Sequence, residues 1–177
     1  MPAKLVPENH AALHAIAEEV TPEEFKNGAL KKIVEKMRAA LRSYNAEGFV
    51  GVAIAAPQIG VAKRIFLVED QSQDRKDALP SLVAVNPRLI KVSRRSGLRG
   101  EGCLSVRERY GAVRRHSNVT LRALDLNGVE FERGAGGLLS QIFQHECDHL
   151  DGILFVDRAE KVWGKEELES VKLSEAK

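Results

Sequence analysis

Residues 137–152, with the sequence GLLSQIFQHECDHLDG, determine how the rest of the chain must be arranged. His145 and His149 are four residues apart, so on a helix both imidazoles lie on one face and can bind one ion. Glu146 lies beside them and can reach a water molecule on that ion. This H-E-x-x-H pattern is typical of a metal site with an adjacent catalytic carboxylate. The apolar residues that precede it predict a buried helix.

A hydrolytic metal site needs three protein ligands and one open position, so a third ligand must lie elsewhere in the chain. The metzincin extension of the motif ends in a histidine, where this chain has Phe155, and that class is therefore excluded. A thermolysin-like site would use a glutamate of the C-terminal tail, where Glu166, Glu167 and Glu169 are available. The stronger candidate is Cys103 in the segment GEGCLSV, because a thiolate with two imidazoles accepts Zn²⁺ or Fe²⁺.

The composition is that of an ordinary globular protein. The chain has 177 residues, of which 44% are hydrophobic and 29% charged, so we expect a single domain spanning 1–177. Its 27 basic residues are nearly balanced by 25 acidic ones, which gives no case for sequence-specific binding of nucleic acid. The longest apolar stretch, FVGVAIAAP, is far shorter than the roughly 20 residues of a membrane span. The N-terminus has no signal or transit pattern, and two cysteines suggest no disulfide framework. We expect a cytoplasmic protein that contacts no membrane.

Helical periodicity is found in the first part of the chain. The segment PENHAALHAIAEEV (7–20) predicts a short helix. Thr21, followed by Pro22 and by Glu24, is a capping-box arrangement that predicts the start of a longer helix, which ends near 45–48. The apolar positions of this helix recur at helical spacing and predict a core face. They are Leu30, Ile33, Val34, Met37, Leu41 and Tyr44.

The middle of the chain has the short β-branched runs that indicate strands. RIFLVED (64–70) and SLVAVNPRLIKVS (81–93) are two such runs, and NVTLRALDLNG (118–128) alternates and ends in the hairpin turn Asn127-Gly128. A helix, several strands and then a buried helix predict an α+β fold. We expect mostly antiparallel sheets packed around a central helix that carries the H-E-x-x-H motif.

Three segments together resemble the peptide deformylase family. They are GVAIAAPQ (51–58), EGCLS (101–105) and QHECDHLDG (144–152), in the family's order and with similar spacing. The resemblance covers roughly 30–158. It implies hydrolysis of the N-formyl group from the initiator formyl-methionine of nascent polypeptides, with release of formate. The alternatives are an H-E-x-x-H metalloprotease and a metal-binding module without turnover.

The resemblance also implies a metal site and its catalytic carboxylate. Cys103, His145 and His149 correspond to the family's metal ligands, and Glu146 corresponds to its general acid/base. The implied cofactor is one divalent metal ion, with Fe²⁺ as the native ion and Zn²⁺, Ni²⁺ or Co²⁺ able to substitute. Such an ion lowers the pKa of a bound water towards neutrality.

Two further groups correspond to the donors that hold the formyl oxygen. They are the side chain of Gln58 and the backbone N–H of Leu104. Loss of one oxyanion donor of this type costs on the order of 3 kcal/mol. Without the resemblance, Gln58 would be interpreted as a turn residue after Pro57.

Substrate contacts are expected on both sides of this site. An extended peptide can pair with backbone that allows close approach, and Gln141, one turn before His145, is expected to line the pocket for the methionine side chain. The expected substrate-binding residues are Gly51, Val52, Ala53, Gly102 and Gln141. The implied partner is the formyl-methionyl nascent peptide, with transient association with the ribosome.

Some residues are expected to be structural or depart from the family pattern. Glu101 is expected to form a structural ion pair with Arg115. Ala53 replaces a usual glycine, and Arg107 and Arg114 replace usual prolines. We also interpret Gln141 as a departure, which predicts an altered substrate preference. None of these changes removes a catalytic group.

Overall fold

The computed structural model describes residues 4–44, 51–70 and 78–167. The α-helices in these ranges are α1 (Pro22–Lys26), α2 (Ala29–Ser43), α3 (Gly137–Leu150) and α4 (Phe155–Arg158). The strands are β1 (Ala53–Ala55), β2 (Ile65–Val68), β3 (Leu82–Val92), β4 (Ser96–Cys103), β5 (Val106–His116), β6 (Asn118–Leu124), β7 (Glu130–Gly136) and β8 (Lys161–Gly164). Two short 3-10 helices, Ala11–Leu13 and Ala56–Ile59, complete the described elements.

The strands form two antiparallel sheets. One has the order β1-β2-β3-β6-β7 and the other the order β4-β5-β8. Every pairing between neighbouring strands is antiparallel. Helix α3 packs against strands of both sheets, namely β1, β3, β6 and β7 of the larger and β5 of the smaller. The predicted α+β fold, with mostly antiparallel sheets around the motif-bearing helix, is therefore confirmed.

Helix α3 is buried along most of its length because it lies between the sheets. Ile142, Phe143 and Leu150 belong to the same core cluster as Phe66 of β2. The rings of Phe66 and Phe143 lie 5.9 Å apart, centroid to centroid. Burial of each such side chain contributes about 1.5–3 kcal/mol, so the core fixes the helix that carries the motif.

The predicted helix after Thr21 is divided in two. The Glu24 carboxylate accepts a hydrogen bond from the Thr21 N–H at 2.8 Å, as the capping-box pattern predicts. Gly28, with a φ of 73°, then interrupts the chain between α1 and α2, a conformation that glycine adopts without strain. Most of the predicted core face of α2 is buried, and Ile33 and Tyr44 are half-buried. The predicted end at 45–48 lies outside the described residues.

The prediction of a helix over 7–20 is wrong. The helical part of this segment is the 3-10 turn Ala11–Leu13, because its later backbone groups bond to distant residues rather than to one another. The N–H of Ala17 donates to Leu150 O at 2.9 Å, and that of Glu18 donates to Ala62 O at 2.9 Å. Tertiary hydrogen bonds thus replace helical ones here.

Gly152 lets this N-terminal segment cross the end of α3. Its φ of 73° is in the left-handed region, as expected for the glycine that follows a helix. A Cβ at this position would meet the backbone carbons of His14 at 2.9 Å and Ala15 at 3.0 Å. Only glycine fits, both for its conformation and for the close approach.

The predicted strands and hairpin are present, but the sequence indicates the smaller sheet poorly. Asp125 accepts hydrogen bonds from the N–H groups of Asn127 and Val129, which closes the predicted turn between β6 and β7. By contrast, β4 and β8 are largely exposed strands without regular apolar alternation. Their pairing with β5 is a tertiary property that local periodicity does not indicate.

Candidate metal centre

Three donor side chains from distant parts of the chain meet beside α3. Cys103 ends β4, and His145 and His149 lie one turn apart on α3. The ligand atoms of these three residues all lie within 4.8 Å of one another. The Cys103 sulfur is 3.3 Å from His149 Nε2, and the two imidazole rings are 4.9 Å apart. The position of β4 beside α3 thus brings the cysteine of one motif and the two histidines of the other into one cluster.

The imidazoles determine the ionisation of Cys103. Burial alone would raise the pKa of this thiol, but electrostatic interaction and hydrogen bonding with His149 and His145 lower it to about 5. Burial also acts against the charge of His145, yet its contacts with Cys103 and Glu101 hold its pKa well above the usual value. The cluster therefore favours the thiolate, the form of cysteine that binds metals.

Glu146 is the buried carboxylate of the cluster. It is 4% exposed, and its Oε2 has no hydrogen-bond partner among the residues that the structure describes. Burial raises its pKa to about 7, although the nearby histidines oppose the shift. An unpaired carboxylate with a pKa near neutrality is suited to accept and return a proton.

A chain of charged groups behind the cluster orients His145. The Nδ1 of His145 lies 3.0 Å from Glu101 Oε2, so Nε2 is left to face the cluster. Arg115 donates two hydrogen bonds to the Glu101 carboxylate, at 2.7 and 2.9 Å, and a third to Asp148 at 2.6 Å. Burial raises the pKa of Glu101, but Arg115 and His145 lower it to about 2. Partners of this kind fix the tautomer and the orientation of a ligating histidine.

The side chain of Gln58 reaches the cluster from the 3-10 helix that follows β1. Its Oε1 accepts a hydrogen bond from the Ala55 N–H at 2.8 Å, which fixes the orientation of the amide. Its Nε2 lies 3.5 Å from Cys103 Sγ and 3.4 Å from Ser105 Oγ. Leu104, in the turn after Cys103, has a backbone N–H that donates to no residue of the described ranges.

A cavity of about 250 Å³ opens beside these groups. Its walls come from β1 and β4, which are edge strands of the two sheets, and from α3. The lining residues are Gly51, Val52, Ala53, Gln58, Gly100, Glu101, Gly102, Cys103, Leu104, Leu138, Gln141, Ile142, His145 and Glu146. An edge strand has unpaired backbone groups, so each of these walls can pair with an extended peptide.

Gly51 and Ala53 differ in how closely they are packed at this cavity. A Cβ on Gly51 would lie 2.8 Å from a Leu41 methyl and 2.9 Å from a Leu104 methyl, so a larger residue would require these two side chains to shift. Ala53 is 8% exposed and lines the cavity, so its methyl group occupies space that a glycine would leave open.

Gln141 lies between α3 and β4 at the cavity wall. Its Nε2 donates to the Gly100 carbonyl at 2.8 Å and lies 3.4 Å from Glu101 Oε1. The amide oxygen of Gln141 accepts no hydrogen bond from the described residues. The cavity therefore has one polar group in a wall that Leu138 and Ile142 otherwise make apolar.

The structure places the remaining candidates away from the cluster. Arg107 and Arg114 are exposed on β5, and Arg114 pairs with Glu160 at 2.9 Å. Glu166 and Glu167 are exposed near β8 and are not part of the donor cluster in the described ranges. Glu169, the other glutamate proposed for a thermolysin-like site, lies outside the described residues.

Sequence reasoning missed several residues of the site. Leu138 and Ile142 line the cavity. Leu138 lies four residues before Ile142, and Ile142 lies three residues before His145, so on a helix the three share one face. This spacing could have indicated both residues. Asp148 and Ser105 belong to the motifs, but their contacts with Arg115 and Gln58 depend on tertiary structure. No local pattern indicates these two pairings.

The donor set fits a catalytic divalent cation. A thiolate and two imidazoles are the ligands that Zn²⁺ and Fe²⁺ accept, and three protein ligands leave a position for a reacting group. The unpartnered oxygen of Glu146 lies in the same buried site, as expected for a group whose partner is a reactant. Both cysteines are free, so neither is used in a disulfide.

Known proteins are similar to this chain in both sequence and fold. The sequence model of the family described as Polypeptide deformylase matches residues 2–163. Peptide deformylase 2 of Gloeobacter violaceus is 38% identical over 154 residues, which are 84% of this chain and 79% of the relative. The Met-Ala-Ser-bound crystal structure of a peptide deformylase from Acinetobacter baumannii has a TM-score of 0.78 at 34% identity, over 87% of this chain and 96% of that chain. The Thermotoga maritima enzyme has the same TM-score of 0.78 at 27% identity, over 91% of this chain and 99% of that chain.

None of the helices in the described ranges is long and apolar enough to cross a membrane.

The match of the family model, the curated relatives and the solved structures agree with the donor cluster. The chain therefore belongs to the peptide deformylase family, and it is a metal-dependent hydrolase that removes the N-formyl group from the methionine of nascent polypeptides.

Proposed function

We propose that Cys103, His145 and His149 hold one divalent cation, and that Glu146 is the general acid/base of the deformylation reaction. The observation that carries this proposal is the meeting of one sulfur and two imidazoles, within 4.8 Å, beside a buried carboxylate. When bound, such a cation supplies Lewis acidity and makes a water molecule more acidic. The remaining steps fall to side chains and backbone groups of the chain itself.

Glu146 accepts a proton from the attacking water as the water adds to the formyl carbon. The negative charge that develops on the formyl oxygen is stabilised by Gln58 Nε2 and by the Leu104 N–H. Both donors lie next to Cys103 in the structure. Glu146 then returns the proton to the leaving amine, which releases formate and the free α-amino group. Donors that are already oriented stabilise this charge without reorganising during the reaction.

The substrate peptide binds in extended form between the two edge strands. We assign one side to the backbone of Gly51, Val52 and Ala53 and the other to Gly102. The Acinetobacter baumannii relative is described as bound to Met-Ala-Ser, a short peptide that begins with methionine. The ion pair of Glu101 and Arg115 is assigned a structural role, because Glu101 holds His145 Nδ1.

Gln141 modifies the pocket for the first side chain of the substrate. Its amide, held by Gly100, places a polar group in a wall that is otherwise apolar. Replacement by isoleucine should therefore raise the preference for methionine over polar side chains. Formate release from formyl-Met and formyl-Gln peptides gives the ratio of kcat/KM for the two. An unchanged ratio in Gln141→Ile would show that this residue does not influence selectivity.

Fe²⁺ is the proposed native ion, with Zn²⁺, Ni²⁺ or Co²⁺ able to substitute. A donor set of one thiolate and two imidazoles accepts all four ions, so identity is tested by purification without oxygen followed by metal analysis. The proposed compartment is the cytoplasm, in keeping with the two free cysteines. The enzyme is further proposed to act as one domain that associates transiently with the ribosome, where its substrate is made.

The deciding experiment compares formate release by the wild type and by Glu146→Gln under anaerobic conditions. Loss of the acid/base group should lower kcat by about 10²–10⁴-fold without loss of bound metal. Glu160→Gln is a suitable control, because Glu160 is a half-exposed carboxylate that pairs with Arg114 at the surface. Equal rates for the wild type and Glu146→Gln would exclude the proposed role of Glu146.

A further inference from the structure

Ser105 is a buried residue without a role in the mechanism described above. It is 5% exposed and lies in the two-residue turn between β4 and β5, where Cys103 pairs with Val106. Within the described ranges, the Ser105 hydroxyl has one hydrogen-bond partner, Nε2 of Gln58 at 3.4 Å. A buried hydroxyl whose single partner is a proposed catalytic amide requires an explanation beyond turn formation.

The orientation of the Gln58 amide determines what Ser105 can do. Because the Ala55 N–H donates to Oε1 at 2.8 Å, the oxygen end of the amide is fixed, and Nε2 must face the turn that follows β4. Nε2 carries two hydrogens in the plane of the amide. One is donated to Ser105 Oγ at 3.4 Å, and the other is donated to Cys103 Sγ at 3.5 Å, so the second N–H points to the side where the cluster and the cavity meet.

We propose that Ser105 is a positioning residue that occupies one N–H of Gln58 and so directs the other towards the formyl oxygen. Ser105 itself does not contact the substrate. The turn therefore supplies three functions in consecutive residues: a metal-ligating sulfur at 103, a backbone donor at 104 and a hydroxyl that orients Gln58 at 105. This inference rests on the proposed role of Gln58 as an oxyanion donor.

The test is a double-mutant cycle between Ser105→Ala and Gln58→Ala, measured as formate release from a formyl-Met peptide. Loss of a whole oxyanion donor costs about 10²–10³-fold in kcat, so misdirection of that donor by Ser105→Ala should cost about tenfold, with KM changed less than twofold. In the Gln58→Ala background, the same Ser105→Ala substitution should change kcat by less than twofold, because the group that it orients is absent.

A merely structural serine would give a different result. Its removal would lower kcat by the same factor in both backgrounds, and that outcome would overturn the proposal. Ser105→Thr, which keeps a hydroxyl oxygen, should recover kcat to within about threefold of the wild type if positioning is the cause. If Ser105→Ala does not fold, Ser105→Gly removes the same hydroxyl with a residue that turns favour, and the cycle is run with that variant.

Two controls distinguish a failure of the proposed role of Ser105 from a failure of the proposed role of Gln58. Ser140→Ala removes another fully buried serine hydroxyl, which donates to His116 O at 3.0 Å and does not contact Gln58. It should leave kcat within twofold of the wild type. If Gln58→Ala alone leaves kcat unchanged, the proposed role of Gln58 fails. If Gln58→Ala lowers kcat and Ser105→Ala does not, only the role of Ser105 fails.

Discussion

The two cysteines of this protein are both buried, yet they have opposite chemistry. Cys103 is 5% exposed and Cys147 is 8% exposed. Contacts with two imidazoles lower the pKa of the Cys103 thiol to about 5, whereas burial raises that of Cys147 to about 12. Burial by itself makes a cysteine an inert apolar side chain. The neighbouring histidines, and not the degree of exposure, make Cys103 a ligand.

Helix α3 separates these two environments. His145 and His149 lie on the face that meets Cys103, while Cys147, two residues from each, projects towards the opposite side. Cys147 packs in the apolar cluster that also contains Ala17 and Leu150. One helix thus presents a polar, reactive face to one sheet edge and a packing face to the core.

The largest expected effect comes from exchanging each cysteine for alanine. Cys103→Ala should lose stoichiometric metal and lower the rate of formate release at least a hundredfold, because even residues that only support a ligand cost about 10–100-fold when lost. Cys147→Ala, the matched control, should keep its metal and at least half of its activity. Metal analysis of the two purified variants tests this prediction. Equal metal content in both would contradict the assignment of Cys103, and not Cys147, as a ligand.

Arg115 links β4 to helix α3 through buried ion pairs with Glu101 and Asp148, so its removal should be costly for stability. Arg115→Met leaves Glu101 and Asp148 as buried carboxylates without their main cation, which should cost about 3–5 kcal/mol in the free energy of unfolding. The neighbouring variant Arg114→Met removes a half-exposed arginine and should cost less than about 1 kcal/mol. Urea denaturation measures both values. Similar losses would contradict the structural role of the buried ion pair.

Alkylation sharpens the contrast between the thiols. After the metal is removed by a chelator, iodoacetamide at pH 7 should modify Cys103 at least about tenfold faster than Cys147, since the thiolate is the reacting form. Because the pKa of Cys103 is lowered to about 5, its rate should stay constant from pH 8 to 6 and fall as the pH drops below 5. Mass spectrometry of the labelled peptides gives both rates. A rate of Cys103 alkylation at pH 4 as high as that at pH 7, or equal labelling of the two cysteines at pH 7, would contradict the assigned ionisation.

The smallest effect is expected at Arg158, a second and more exposed partner of Asp148. Its Nε lies 2.9 Å from the Asp148 carboxylate, and its side chain is 48% exposed. Arg158→Gln should lower the free energy of unfolding by less than about 1 kcal/mol, because Arg115 still compensates the buried charge. A loss as large as that of Arg115→Met would show that Asp148 depends on both arginines.

The parts of the site that sequence could predict are those set by local spacing. The four-residue interval of His145 and His149 on a helix is sufficient to place two imidazoles on one face. Cys103 is different, since it lies far away in the chain: its thiol made it a candidate for the third ligand, and the agreement of three motifs then supported that choice. The contact of Arg115 with Asp148 and the orientation of the Gln58 amide depend on tertiary packing, which no local pattern encodes.

The same distinction applies to the fold. The apolar periodicity of α2 and the turn at Asn127-Gly128 predicted their elements because both are stabilised by nearby residues. The segment 7–20 has a helical composition, but its backbone bonds to Ala62 and Leu150 instead. Local propensity was overridden by tertiary hydrogen bonds, which contribute comparable free energy per group.

Because Gly152 has no side chain, an early segment of the chain can pack against it, and this affects the order in which parts of the protein fold. His14 and Ala15 rest against its backbone, and the Ala17 N–H is bonded to the carbonyl of Leu150. During translation these early residues emerge long before the partners they need. They can pack in this way only after 150–152 have left the exit tunnel, so a segment made before α3 reaches its native place only once α3 is complete.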